Sequence, residues 1–194
     1  MAEKSTAATT TTVLEFATNS VRNTTLATSS DDPYFEIVTR FWHPHVTKIN
    51  KLEPGPGAKL TTVAEIDTSS NARVRFYDDD KKSEKGRGAL GEWIDSTTIL
   101  KLADGKPGGT YIDSDGIEYR WKTHNRNFQL YRVDDTTRLP IAVFHPCKRH
   151  FGVWRMSEHA RLEVKSQIKH MERLIASFLL VERQRRHKRF SYRK

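Results

Sequence analysis

A single cysteine in 194 residues, Cys147, leaves nothing for an intrachain disulfide or a multi-cysteine zinc cluster. Long apolar runs are missing too. The longest, Leu174 to Val181, has eight residues, where a membrane-spanning helix needs about 20. The opening MAEKSTAATTTT has neither the apolar core of a secretory signal nor the arginines of a mitochondrial presequence. The expected address is therefore the cytoplasm or nucleus, where a lone reduced cysteine is ordinary. Residues 1–12, rich in Ser, Thr and Ala, read as a disordered terminus.

Acidic excess is also absent: 33 Lys and Arg face 24 Asp and Glu. The surplus is concentrated at the carboxyl end. Arg183, Arg185, Arg186, Lys188, Arg189, Arg193 and Lys194 stand against Glu182 alone, so the body of the chain is near neutral. A nucleic-acid binder that used its whole surface would carry its basic residues on the domain itself. With 36% apolar and 29% charged residues, the composition is that of one soluble globular domain.

Alternation of apolar and polar residues recurs through most of the length. It is strict in Ala72–Tyr77, Ile117–Lys122 and Ala160–Lys165, where Arg73, Arg75, Arg120, Lys122, Arg161 and Lys165 are expected to point outward. Looser versions run through Tyr34–Phe41, His45–Leu52, Leu60–Ile66, Thr97–Leu102, Asn127–Val133, Pro140–His145 and Phe151–Met156. Short candidates at Val13–Phe16, Gly91–Ile94 and Gly109–Asp113 bring the count to about twelve or thirteen strands. Turn chemistry separates them, with Asp115-Gly116 read as a tight type I′ hairpin turn and Asp78–Gly88 as an exposed loop. No linker and no repeat divides the chain.

One segment departs from this period. From Ser166, a candidate N-cap, Ile168, Met171, Leu174, Ile175, Phe178 and Leu179 fall on one helical face, and Ala176, Leu180 and Val181 fill much of the other. A helix apolar all round must be enclosed on all sides. In a chain of strands, the enclosure is a closed antiparallel β-barrel around a buried C-terminal helix. The organisation expected is a single domain over residues 13–187, its central helix at about 166–186, and a basic tail at 188–194.

The segments Asp115–Lys122 (DGIEYRWK), Ile141–His145 (IAVFH), Leu162–Val164 and Leu174–Arg186 (LIASFLLVERQRR) resemble those of a fungal family, domain of unknown function 6593. Asn23–Leu26 followed by Tyr34–Thr39 is similar to its opening. About twelve strands and a C-terminal hydrophobic helix also resemble the tubby C-terminal-like fold, shared by tubby, phospholipid-scramblase and LURP-one-like proteins. The resemblance spans roughly residues 13–187 and implies that fold. It carries no catalytic residues over. Tubby proteins bind phosphoinositides, an analogy that stays at the level of fold.

Candidate sites compete with plainer readings. The tail residues Arg183, Arg185, Arg186, Lys188, Arg189, Arg193 and Lys194, interleaved with Phe190 and Tyr192, suit phosphate on lipid headgroups or nucleic acid. They equally suit a solubilising terminus or a nuclear-import signal. His145, Cys147 and His150 are metal-type ligands within six residues, but no second pair stands at zinc spacing, and a turn between strands explains them better. A Cys147–His hydrolase would need a thiolate-stabilising site and an oxyanion hole that no pattern announces. Asp78, Asp79, Asp80 and Glu84 could take a hard cation, yet Lys81, Lys82 and Lys85 make the loop self-neutralising. Of Trp42, Trp93, Trp121 and Trp154, most read as core or barrel-wall residues, with an aromatic ligand pocket as the alternative.

The function expected is a non-enzymatic binding module contacting an anionic membrane surface or phosphoinositide, or another protein, through basic exterior positions and tail. Nucleic-acid binding by the tail, and an enzyme whose site no local pattern reveals, are the alternatives. No cofactor and no metal is called for.

Overall fold

The computed structural model describes residues 11–28, 33–53, 59–69, 71–82, 88–102, 108–125, 127–148, 158–165 and 168–191. In chain order the elements are β1 (Thr11–Phe16), β2 (Thr24–Thr28), β3 (Pro33–Thr39), β4 (Val46–Glu53), β5 (Lys59–Asp67), β6 (Arg73–Lys82), β7 (Gly88–Leu90) and β8 (Ile94–Asp95). There follow a one-turn helix α1 (Ser96–Ile99), β9 (Leu100–Leu102), β10 (Gly109–Ile112), β11 (Glu118–His124), β12 (Asn127–Arg132), β13 (Ala142–His145), β14 (Arg161–Lys165) and the long helix α2 (Met171–Ser191).

Thirteen strands form one antiparallel path, and β8 pairs with β6 beside it. Two meanders make up the path. β1 to β7 follow one another in space, β9 to β14 do the same, and β1 joins β14 in a register that sets Leu14 opposite Leu162. The hydrogen-bond ladder is open among the described residues, its ends being β7 and β9. The chain itself spans this gap, because β8, held to β6, runs through α1 directly into β9.

The alternation behind the strands is what places the core. Val74, Tyr119, Trp121, Leu162 and Val164 are buried, while the basic residues between them reach the outer face. α2 lies inside. Leu174 through Glu182, nine consecutive residues, are each no more than 9% exposed, so this part of the helix is enclosed on every side. Phe178 meets Phe144, Phe16 and Trp121 at ring-centroid distances of 4.5, 5.8 and 6.0 Å, which ties β13, β1 and β11 to one side chain. Ser177, the polar intruder, is satisfied: its Oγ accepts from Trp121 Nε1 at 3.0 Å and donates to the Leu174 carbonyl at 2.8 Å.

Several expectations need correction. α2 starts at Met171 rather than near 166, with Leu174 N donating to the His170 carbonyl. Its first turn is pinned by the β10–β11 hairpin, whose Asp115 lies 3.2 Å from Lys169 and 3.3 Å from His170. Those hydrogen bonds, Lys169 first, hold the Asp115 carboxyl below its ordinary range. Ser166 lies outside the described residues. At its other end α2 runs on to Ser191, so the expected tail at 188–194 begins as helix; Arg, Gln and Lys are good helix formers, and cations suit a helix C-terminus. Thr11 and Thr12 belong to β1, opposite Lys165 and Val164, not to a disordered terminus.

The stretch 78–88 is not a loop throughout: β6 continues to Lys82, and β7 begins at Gly88. Ser96–Ile99 is helical rather than extended because Asp95 caps it, accepting from Thr97 N at 2.8 Å. The β10–β11 hairpin turns with only Gly116 at positive φ (75°), closed by Gly116 N to Asp113 O at 2.9 Å. This is a turn followed by a glycine bulge, since a type I′ turn would need Asp115 at positive φ as well. The expected strand Phe151–Met156 lies outside the described residues.

The outer face is cross-linked by charge. Lys48, Glu65 and Arg75 sit directly opposite one another on β4, β5 and β6. Glu65 receives Lys48 at 3.0 Å and Arg75 Nε at 2.6 Å. Burial pushes the Glu65 carboxyl up, but these two partners outweigh it and hold it below 4.5. Arg73 pairs with Asp67 at 2.8 Å in the same way, and Arg161 with Glu163 at 3.0 Å.

Two outcomes follow. Phe178→Ala is expected to lose about 3–5 kcal/mol, and Phe178→Asp or Leu179→Asp to abolish the cooperative melt seen by circular dichroism, because an unpaired charge there has no water to reach. A parent-like melt for either Asp variant would put α2 at the surface. Acid titration should show a component absent from Glu65→Gln. A carboxyl lowered on folding contributes stability above its unfolded pKa, and that contribution is lost as pH falls from about 4.5 through the folded value.

Candidate functional site

Where α2 leaves the enclosure, its side chains meet three loops of the first meander. The β1–β2 loop brings Ser20, Val21 and Arg22, the β3–β4 loop brings Pro44 and His45, and the β5–β6 loop brings Thr68 and Ala72. With Ser96, Leu100, Leu180, Arg183 and Arg186 they line a pocket of about 650 Å³. The loops are tied to one another by Thr68 N to His45 O at 2.9 Å, by Ser96 N to Ala72 O at 2.8 Å, and by Arg22 donating to the Pro44 carbonyl. Arg186 ties the helix to the rim through Asn19 O at 3.1 Å. The pocket is thus built on anchored backbone.

Its charge is one-sided. Arg22, Arg183 and Arg186 line it, and no carboxylate does among the described residues. Arg186 is already engaged: the wholly buried Glu182 accepts from it at 2.9 Å and from Arg185 Nε at 2.7 Å. Arg185 in turn lies over the Phe128 ring at 5.3 Å. Arg183 has no such counter-ion among the described residues. Its Nη2 donates at 2.5 Å to Thr47 Oγ1, which is 2.7 Å from Thr39 Oγ1, and its Nε is buried with no hydrogen-bond partner. Burial first, and then the neighbouring charge of Arg22, lower the Arg183 pKa to about 10. The guanidinium therefore stays cationic at neutral pH, half-buried at the pocket and with no carboxylate against it among the described residues, an arrangement an anion would relieve.

The basic run read as one tail is therefore divided by helix geometry. Arg183 and Arg186 face the pocket, and Arg185 turns to Glu182 and Phe128. Lys188 and Arg189 continue the helix, their side chains outside the described ones, and Arg193 and Lys194 lie beyond the described residues. Of the exterior basic positions, Arg73, Arg75 and Arg161 are spent on carboxylates, while Arg120 bonds Thr110 Oγ1 at 3.2 Å and Lys122 lies 5.2 Å from the Tyr131 ring. Local pattern had no means of finding Arg22 and His45, since only the folded loops bring them to α2.

The remaining candidates separate. His145 ends β13 3.3 Å from Glu163, Cys147 is half-buried, Lys148 pairs with Glu158 at 3.0 Å, and His150 lies outside the described residues. No group of three or more His, Cys, Asp or Glu side chains converges on a metal-sized point among the described residues. The side chains of Asp78, Asp79, Asp80 and Glu84 fall outside them. Trp121 is a core residue at 2% exposure, and Trp93 covers Arg75 at 4.4 Å. Trp42 is not a wall residue: it sits in a turn and is 66% exposed. Trp154 lies outside the described residues. No helix among the described residues is long and apolar enough to cross a membrane.

Removing Glu182 separates the two kinds of arginine. Glu182→Gln is expected to destabilise the fold by about 3 kcal/mol or more, because Arg185 and Arg186 lose a fully buried partner. Arg183→Met is expected to melt at or above the parent temperature. A base lowered to about 10 on folding penalises the native state at every lower pH, and the substitution removes that penalty. A clear loss of stability in Arg183→Met would mean that its guanidinium has a structural counter-charge.

Over residues 19–187 the chain matches the model of a family of unknown function, DUF6593. No curated protein matches it.

Proposed function

The chain belongs to DUF6593, a family whose function is unknown, and from its own geometry we propose a non-enzymatic binding module that takes an anionic group of the phosphate class in the Arg22–Arg183–Arg186 pocket. The observation that carries this reading is Arg183: half-buried, cationic, beside a second arginine, and with its Nε buried and unpaired. Guanidinium groups offer a fork of donors that suits phosphate oxygens. The lining also favours binding over reaction. It holds one imidazole, His45, and the hydroxyls of Ser20, Thr68 and Ser96, but among the described residues no hydrogen bond joins the His45 ring to these hydroxyls, and no carboxylate lines the pocket to orient it as a base.

The enclosed helix supports reading the architecture as the closed tubby C-terminal-like barrel, with the gap between β7 and β9 bridged through α1. That analogy puts lipid headgroups first among phosphate-bearing partners and a cytoplasmic or nuclear address with them. The nucleic-acid alternative draws on the basic helix end from Lys188 onward rather than on the pocket.

Inorganic phosphate and a soluble inositol phosphate are expected to raise the melting temperature of the parent, as any ligand of the native state does, and to leave that of Arg183→Met unmoved. Equal shifts in both proteins would remove the pocket from the reading. Oligonucleotide binding that survives Arg183→Met and disappears when residues 188–194 are deleted would transfer the function to the helix end.

A further inference from the structure

The turn beside the pocket carries the most exposed apolar surface of the described chain. Arg40 to His45 are all exposed, and Phe41 at 94% and Trp42 at 66% head the exposed large hydrophobic side chains. The turn is nonetheless fixed: His43 N donates to Arg40 O and Val46 N to His43 O, both at 3.1 Å. The Arg40 guanidinium lies 5.5 Å from the Trp42 ring centroid, and Arg22 clamps the Pro44 carbonyl while lining the pocket. Two aromatic rings are thus held outward on ordered backbone, with arginines behind them and the anion pocket opening within three residues.

Aromatic rings of this kind partition into the headgroup boundary of a bilayer, and neighbouring cations add attraction to anionic lipid. We propose that the Phe41–Trp42 turn is an interfacial anchor that seats this protein on an anionic bilayer, with a lipid phosphate entering the Arg22–Arg183 pocket. The proposal rests on the pocket's taking an anion and names the source of that anion. A bilayer fits better than a folded partner. The apolar tip is small, it is flanked by positive charge on both sides, and no carboxylate shares the pocket to pair with a basic partner.

The test separates anchor from pocket. Full-length protein is floated with vesicles of phosphatidylcholine alone and of phosphatidylcholine containing phosphoinositide. The parent is expected to float with the anionic vesicles and to show a blue shift of tryptophan emission. Phe41→Ser/Trp42→Ser should keep the parent melting temperature and the phosphate-induced shift, yet partition about tenfold less or weaker. Trp42→Phe should still float and lose the spectral change. Arg183→Met should lose both the phosphate shift and the preference for anionic vesicles. If the double variant floats as the parent does, or if the parent responds to phosphate but floats with no vesicle, the anchor is overturned and the pocket stands. If the parent ignores phosphate as well, the pocket reading falls first.

Discussion

Enclosure of Leu174–Glu182 is the constraint from which the other features descend. Nine successive helical residues without water must be met by side chains on every bearing, and a flat sheet offers contact on only one. Phe178, touching residues of β1, β11 and β13 together, is where that enclosure is most evident. Interior packing at crystal-like density leaves little room for polar atoms in this layer, which is why Ser177 spends its hydroxyl on Trp121 and on its own helix.

The pocket is a by-product of the same enclosure at its open end. A helix that leaves an apolar enclosure must change from apolar to charged within a turn, and here the change falls at Glu182 and Arg183. The buried carboxylate at Glu182 takes two arginines, which neutralises part of the transition. Arg183 lies against Thr47 and beside Arg22, and has no carboxylate partner among the described residues. Positive potential is thereby concentrated in a concave place rather than spread along a tail. Concave sites with low-dielectric walls focus such a field.

How much of this could be read from the residue order varies by element. Strict alternation in Ala160–Lys165 or Ile117–Lys122 betrays a strand because one face is dry and the other wet. The helix declared itself by the change of period and by its missing charges. β2, Thr24–Thr28, has little contrast between its faces beyond the buried Leu26, and it escaped notice as a strand. α1, Ser96–Ile99, overlaps the loose alternation of Thr97–Leu102, and side-chain capping by Asp95 overrides it. Trp42 looked like a wall residue until its turn placed it outside. The site was the least readable part. Arg183, Arg185 and Arg186 look alike in a basic run, and only their angular positions on α2 and the arrival of the β1–β2 and β3–β4 loops give them different tasks.

The pairing of β1 with β14 has a kinetic consequence. β1 waits for β14, about 150 residues later, before its hydrogen bonds are complete, and the helix that fills the interior follows still later. Contacts so distant along a chain make for slow closure. During synthesis the early meander stands with its inner apolar face uncovered, so a nascent chain of this topology depends on chaperones or on speed of completion far more than its final compactness would suggest.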